Sequence, residues 1–276
     1  MLGKGTFSAR VRHAEPVMGT VVSFDVPVTA RHDGSLDDAV RWLHWVDRVF
    51  SPFRADSDVS QLADGEATVD GCAPEVAEVI EACAFIRELS GGYFTASPWG
   101  RFDPSGYVKG WAVERAAHLL SLAGSVSHLV NGGGDVQCVG GRASHSGAAS
   151  GSGPGQEPGT ATGSPWRVGI ADPLRPGRLA LVVQARDGAI ATSGTAERGA
   201  HIVNPRTGEA AAGLASVTMV GPSLALADAC ATAAFAMGHD LAREWTESLD
   251  GYQAYAITAA GDTWQTGGFA AHIAKD

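Results

Sequence analysis

Hydrophobic and polar positions along the chain predict helices early, strands in the middle and helices again near the end. Helical spacing of apolar residues occurs in four stretches, at 36–50, 74–89, 108–122 and 223–237. Runs typical of strands occur at 17–26, 128–131, 135–139, 166–170, 179–184, 189–193, 201–204, 216–220 and 252–257. This order predicts an α+β fold instead of regular β-α-β winding.

Length and composition allow one packed domain, within which one segment differs from the rest. The 276 residues are 45% hydrophobic, which suffices for a sizeable core. Residues 141–164 are mostly Gly, Ala, Ser, Thr and Pro, and they cannot bury enough apolar surface to offset their ordering entropy. We therefore expect a single domain over residues 1–276 with a flexible insertion at about 141–164 that carries no function.

Net charge and cysteine content indicate which partners the protein binds and in which cellular compartment it functions. The net charge of −10 disfavours binding to a nucleic-acid backbone, which needs clustered Lys and Arg. The four cysteines form no C-x-x-C pair, so a zinc site is disfavoured and reduced core thiols are expected. No apolar stretch predicts a signal peptide or a membrane helix. These features predict a cytoplasmic protein without membrane insertion, although a mature exported domain lacking its signal has the same pattern.

The apolar helix predicted at 223–237 contains one carboxylate and one hydroxyl on the same face. Asp228 and Thr232 lie four residues apart, which places them one above the other on a helix. A buried carboxylate is costly without a partner, and Mg²⁺ takes oxygen ligands. The alternative is that Asp228 faces solvent or interacts with the helix dipole in the first turn. The pattern alone leaves both interpretations open.

Two further segments contain candidate ligand-binding or catalytic groups. Residues 102–111 form a turn leading into a helix, where Asp103 or Ser105 caps the N-terminus and Lys109 adds a positive charge suited to a phosphate. The alternative is a plain capped helix with a surface lysine. His201 is a candidate general base because histidine titrates near neutral pH, but a lone histidine at a strand start is more often structural.

Two other segments are open to two interpretations each. Residues 131–135, Asn-Gly-Gly-Gly-Asp, predict either a hairpin turn or backbone room for a flat ligand. Residues 50–60 predict either aromatic rings that stack on a ligand or a loop with a capping box leading into Val59. Neither G-x-S-x-G nor H-E-x-x-H occurs, which disfavours two common hydrolase classes.

The order of these segments along the chain resembles that of the FAD:protein FMN transferase family, also known as ApbE. The landmarks are Val17-Met18-Gly19-Thr20, residues 50–60, Gly91-Gly92-Tyr93-Phe94, residues 103–111, residues 131–135, Thr192-Ser193-Gly194, residues 201–208 and residues 227–235. They extend over most of the chain, and their shared order makes coincidence a poor explanation.

The resemblance implies a fold, a reaction and its participants. The implied fold is a single α+β domain with mixed or antiparallel sheets, flanking helices and the flavin in a central cleft. The implied enzyme is a flavinyltransferase, in which a Ser or Thr hydroxyl of an acceptor flavoprotein attacks the FMN-side phosphorus of FAD. AMP leaves and FMN stays attached through a phosphoester, which is protein flavinylation. Mg²⁺ is the implied cofactor and FAD the substrate.

Site residues also follow from the resemblance, position by position. Asp228, Thr232 and the backbone carbonyl of Gly106 match the metal ligands, and His201 matches the proposed base, so that His201 and Asp228 are the implied catalytic residues. FAD contacts are expected at Met18, Phe53, Tyr93, Phe94, Thr95, Asp103, Lys109, His201 and Ile202.

The sequence departs from the family pattern at several positions, and two other functions are therefore considered. Phe53 stands where a tyrosine is typical, which removes a hydroxyl contact, and Thr95 replaces the usual acid. One alternative is a Mg²⁺-dependent FAD pyrophosphatase that gives FMN and AMP, in which water replaces the protein hydroxyl. Another is an FAD-binding protein without turnover. The pair Asp228 and Thr232 argues against the second, because FAD binding alone does not require a metal.

Overall fold

A computed structural model of the protein describes residues 9–142, 163–195 and 202–275. Within these ranges, eight strands form one sheet with all neighbours antiparallel, and two further strands form a separate hairpin. The strands are β1 Arg10–Val17, β2 Thr20–Pro27, β3 His128–Gly132, β4 Asp135–Val139, β5 Trp166–Ala171, β6 Leu179–Ala185, β7 Gly188–Gly194, β8 Leu214–Gly221, β9 Gln253–Thr258 and β10 Thr263–Gln265. The sheet order is β1-β2-β3-β4-β7-β8-β9-β10, and β5 pairs with β6.

The described helices confirm the predicted α+β class. They are α1 Val28–His32, α2 Ser35–Phe50, α3 Asp58–Ala63, α4 Pro74–Leu89, α5 Ser105–Leu122, α6 Leu224–Met237 and α7 His239–Glu247. The four predicted long helices occur as α2, α4, α5 and α6, and α5 begins three residues earlier than its apolar periodicity indicated. The capping interpretation of residues 50–60 is confirmed, because the Ser57 hydroxyl accepts the N–H of Ser60 at 3.1 Å. None of the helices in the described ranges is long and apolar enough to cross a membrane.

Two strand predictions were wrong in detail. The single strand expected at 17–26 is the turn and second arm of a hairpin, because Met18 and Gly19 adopt φ values of +54° and +67°. Positive φ at two successive residues makes the tight turn that joins antiparallel strands. Residues 202–204 belong to no strand, since Gly208 N–H donates to the Asn204 carbonyl at 2.8 Å and closes a turn instead. Most of the expected insertion, residues 143–162, lies outside the described residues.

Two apolar cores lie on opposite faces of the sheet. Successive residues of a strand point to opposite faces. In β7, Ala189 and Ala191 pack into the larger core with helices α2, α4, α5 and α6. Ile190 packs into the smaller core, with Trp166 of β5 and Phe269. The β5–β6 hairpin therefore covers the face of the sheet that the helices leave open.

Helix α6 is buried on nearly all sides and is held against α5 by specific contacts. Glu114 of α5 accepts hydrogen bonds from the Ser223 hydroxyl and the Ala225 N–H, both at 2.8 Å, at the N-terminus of α6. A Cβ atom on Gly110 of α5 would lie 2.6 Å from the Leu224 carbonyl oxygen, so the helices approach at a position where only glycine fits. This contact fixes the direction in which the polar residues of α6 point.

All four cysteines are free, as the sequence predicted. Burial raises the pKa of the Cys83, Cys138 and Cys230 thiols to about 12. These three side chains are therefore protonated and unreactive at neutral pH.

Candidate active site

A cleft of about 740 Å³ lies where several loops and helix ends meet. Its walls come from the β1–β2 turn, the end of α2, the start of α5, the β3–β4 turn, β5, the end of β7 and α6. The predicted site residues that the structure describes all line it: Met18, Phe53, Tyr93, Phe94, Thr95, Asp103, Gly106, Lys109, Ile202, Asp228 and Thr232. His201 lies outside the described residues, so its role as a base stays a prediction.

A charged cluster lies at the base of the cleft around Asp228. Asp228 is 2% exposed, and its Oδ2 accepts the backbone N–H of Gly110 at 3.0 Å. Lys109 Nζ lies 3.6 Å from Asp228 Oδ1 and 2.5 Å from Asp135 Oδ2. Burial raises the pKa of the Asp228 carboxyl well above its ordinary value, with Lys109 opposing the shift and Asp135 adding to it. Asp228 therefore neither faces solvent nor lies in the first turn of α6.

Two hydroxyl groups meet at Thr232, one turn along α6 from Asp228. The Thr232 hydroxyl is 3.2 Å from the hydroxyl of Ser193 at the end of β7. A Cβ atom on Gly106 would lie 3.4 Å from the Phe94 ring and 3.8 Å from Thr232 Cγ2, so Gly106 lies close to both side chains. The described residues contain no group of three His, Cys, Asp or Glu side chains placed to hold a metal. An ion here would depend on hydroxyl and carbonyl oxygens as well as on Asp228.

The N-terminus of α5 lies beside Asp103, and Lys109 follows it by one turn. Asp103 Oδ1 accepts the backbone N–H of Ser105 at 3.0 Å. The interpretation of Lys109 as a plain surface lysine was wrong, because its side chain is 26% exposed and is paired with Asp135. The side-chain cap expected from Asp103 or Ser105 was wrong, because the N-cap residue is Pro104 and it makes no side-chain capping hydrogen bond. The lysine lines the cleft.

Aromatic side chains form one wall and the mouth of the cleft. The guanidinium of Arg206 lies 4.4 Å from the centroid of the Tyr93 ring, and its Nη2 donates to the Gly91 carbonyl at 2.8 Å. These contacts tie the segment after residue 202 to the turn before Phe94, which is fully buried. Phe53 is 95% exposed at the mouth, so its ring is free to contact a ligand.

Comparisons with known proteins identify the family of the chain. A sequence profile of the ApbE family matches residues 18–100 and 95–256. The chain belongs to the ApbE family. The FAD:protein FMN transferase of Rhodobacter capsulatus is 27% identical over 239 residues, covering 82% of this chain and 39% of that protein. The FAD:protein FMN transferase of Treponema pallidum is 33% identical over 150 residues, 51% of this chain and 39% of that protein. The matched region thus spans less than half the length of these relatives.

Solved ApbE structures show the same fold. The ApbE protein of Thermotoga maritima superposes with a TM-score of 0.81 at 21% identity, over 97% of this chain and 100% of that chain. The flavin transferase ApbE of Vibrio cholerae superposes with a TM-score of 0.76 at 20% identity, over 96% of this chain and 99% of that chain. The single α+β architecture is therefore that of ApbE proteins.

The structure adds contacts and lining residues that the sequence did not assign. Ser193 belongs to a recognised ApbE landmark, and its contact with Thr232 is a tertiary one. Asp135 closes another landmark, residues 131–135, and pairs with Lys109. Residues 169–171 of β5 also line the cleft, and no local signal marks them.

The hairpin interpretation of the Gly-rich landmark is confirmed, and its interpretation as room for a flat ligand stays a prediction. Gly133 and Gly134 have φ values of +59° and +95° and form the turn between β3 and β4. The same two glycines line the cleft, where the absence of side chains leaves room for a ligand.

Proposed function

We propose that this ApbE-family protein transfers the FMN moiety of FAD to a Ser or Thr hydroxyl of an acceptor protein and releases AMP. The observation that carries the proposal is that one cleft gathers the described residues assigned to flavin and metal by family resemblance. Matched relatives are named FAD:protein FMN transferases, which supports the same reaction here. FAD is then the substrate, an acceptor flavoprotein the partner and Mg²⁺ the cofactor.

The donor set at the base of the cleft fits Mg²⁺. Asp228 supplies a buried carboxylate, Thr232 a hydroxyl and Gly106 a backbone carbonyl, and hard divalent cations prefer such oxygens. The cluster of Asp228, Asp135 and Lys109 holds two carboxylates for one ammonium, which favours an added cation. When bound, Mg²⁺ would neutralise charge on the pyrophosphate oxygens.

The chain's own residues would orient the substrate and move one proton. Tyr93 and the exposed Phe53 offer apolar surface to the isoalloxazine ring, and Lys109 offers positive charge to the phosphates. His201 would take the proton of the acceptor hydroxyl as its oxygen bonds to the FMN-side phosphorus. The bond from that phosphorus to the bridging oxygen breaks, and the oxygen leaves on AMP.

The direct test is to incubate the protein with FAD and Mg²⁺, with and without a Ser- or Thr-containing acceptor peptide. AMP release and peptide mass are measured together. AMP with flavin-labelled peptide is the expected result. AMP with free FMN and no labelled peptide would indicate a pyrophosphatase. Bound FAD without AMP under every condition would contradict the catalytic proposal.

Replacement of the buried carboxylate tests the metal assignment. We expect Asp228→Ala to lower FAD cleavage by at least about 100-fold, because charge stabilisation by a metal contributes several kcal/mol to catalysis. FAD binding, measured by flavin fluorescence, should persist through the aromatic wall. Asp25→Ala is the control, since Asp25 pairs with Arg10 in the β1–β2 hairpin outside the cleft lining. Unchanged cleavage in Asp228→Ala would contradict the assignment.

A further inference from the structure

Asp135 is a buried carboxylate behind the cleft that belongs to none of the predicted ligand sets. Its side chain is 1% exposed. Oδ1 accepts the backbone N–H of Thr192 at 2.9 Å, and Oδ2 lies 2.5 Å from Lys109 Nζ. Asp135 is the first residue of β4, directly after the Gly133–Gly134 turn, and the sheet fixes its backbone. Such a group is well placed to hold a neighbouring side chain.

Lys109 lies between two carboxylates and is closer to Asp135. Its ammonium is 2.5 Å from Asp135 Oδ2 and 3.6 Å from Asp228 Oδ1. An ammonium in full contact with Asp228 would neutralise the carboxylate that a metal ion needs. The shorter contact with Asp135 keeps that ammonium on the sheet side of the cluster.

We infer that Asp135 is a positioning residue that draws Lys109 away from Asp228 and so keeps the Asp228 carboxylate available to a divalent cation. The inference rests on the proposed function, because only there does Asp228 bind Mg²⁺. It assigns Asp135 no contact with FAD or with the ion. Its effect passes through Lys109, as outer partners of metal ligands act through the groups that they hold.

The test is Asp135→Asn, which keeps the side-chain shape and an oxygen for the Thr192 N–H. Its amide cannot pair with the ammonium, so Lys109 is expected to turn to Asp228. The protein without FAD is titrated with MnCl₂, free Mn²⁺ is followed by electron paramagnetic resonance, and MgCl₂ competition checks the site. We expect at least about 10-fold weaker Mn²⁺ binding in Asp135→Asn. Asp25→Asn, which breaks the Arg10 ion pair in the hairpin, is the matched control and should bind like the unmodified protein.

A second substitution separates positioning from a general structural role. In Lys109→Met combined with Asp135→Asn, the competing ammonium is absent, and Mn²⁺ affinity should return to that of the unmodified protein. A merely structural defect would persist or grow in the double variant. If Asp135→Asn does not fold by circular dichroism, Lys109→Met alone takes its place and should bind Mn²⁺ at least as tightly as the unmodified protein.

The outcomes distinguish this inference from the proposed function. Unchanged affinity in Asp135→Asn, no recovery in the double variant, or weaker binding in Lys109→Met would overturn the role of Asp135 while leaving the metal site in place. Failure of the unmodified protein to bind Mn²⁺ or Mg²⁺ would overturn the metal site and this inference together.

Discussion

At the scale of single residues, some buried polar side chains face the cleft and others are enclosed in the core with their own hydrogen-bond partners. His128 is of the second kind and is 0% exposed. Its Nε2 lies 2.9 Å from the Ala117 carbonyl, to which it donates, and its Nδ1 lies 2.9 Å from the Ser125 hydroxyl. Burial lowers the pKa of His128 to about 4, although the Ala117 carbonyl raises it in part.

Because the pKa of buried His128 is lowered, we predict that the protein loses stability in mild acid. Because protonation is harder in the folded state, the stabilisation is present above the ordinary pKa of 6.5 and is lost as pH falls toward the folded pKa of about 4. The full difference corresponds to about 3 kcal/mol. The contribution of His128 is measured by urea unfolding of the unmodified protein and of His128→Gln at several pH values. Other groups titrate in both proteins, so the difference between the two pH dependences belongs to His128. The same pH dependence in both would contradict the prediction.

At the scale of elements, the contact between α5 and α6 decides whether the cleft has its charged base. Gly110 lets the two helices approach closely. Glu114 accepts two hydrogen bonds at the N-terminus of α6, from the Ser223 hydroxyl and the Ala225 N–H. The N–H of Gly110 also reaches Asp228, so one residue serves both packing and the site. The position of Asp228 therefore depends on a helix pair and not on α6 alone.

Gly110→Ala should separate the helices. The added Cβ would lie 2.6 Å from the Leu224 carbonyl oxygen and 2.8 Å from Asp228 Cβ, and neither atom can rotate away. We expect the free energy of unfolding to fall by about 1–3 kcal/mol, despite the better helix propensity of alanine. Gly106→Ala in the same helix is the matched control, because its Cβ would make ordinary contacts at 3.4 Å or more. Equal unfolding free energies for the two variants, measured in urea, would contradict this account.

At the scale of the whole molecule, β5 reaches the cleft although it follows a long chain segment. The residues on either side of 143–162 are already paired, with Arg142 and Ser164 exchanging backbone hydrogen bonds of 2.7 and 2.9 Å. Trp166 and Ile170 of β5 pack into the smaller core. These contacts between described residues position β5 beside the cleft.

Replacing residues 143–162 by a four-residue Gly/Asn turn should therefore leave FAD binding and cleavage unchanged. Thermal stability should hold or rise, because closing a loop several-fold shorter costs about 1–2 kcal/mol less entropy. Thermal unfolding and FAD fluorescence measure the two effects. Loss of FAD binding in a folded variant would show that the segment contributes to the cleft.

By itself, the sequence determined the α+β class, the four long helices and the ordered ApbE landmarks, because apolar periodicity and short motifs are local properties of the chain. It also identified Asp228 and Thr232 as an unusual pair within an apolar helix. Only the tertiary structure decided that Asp135 contacts both Lys109 and the Thr192 N–H, that Ser193 contacts Thr232, and that β5 lines the cleft. Periodicity reports that a position is buried but not what lies opposite it. Partners such as Gly110 and Asp228, 118 residues apart, meet only when the helices pack.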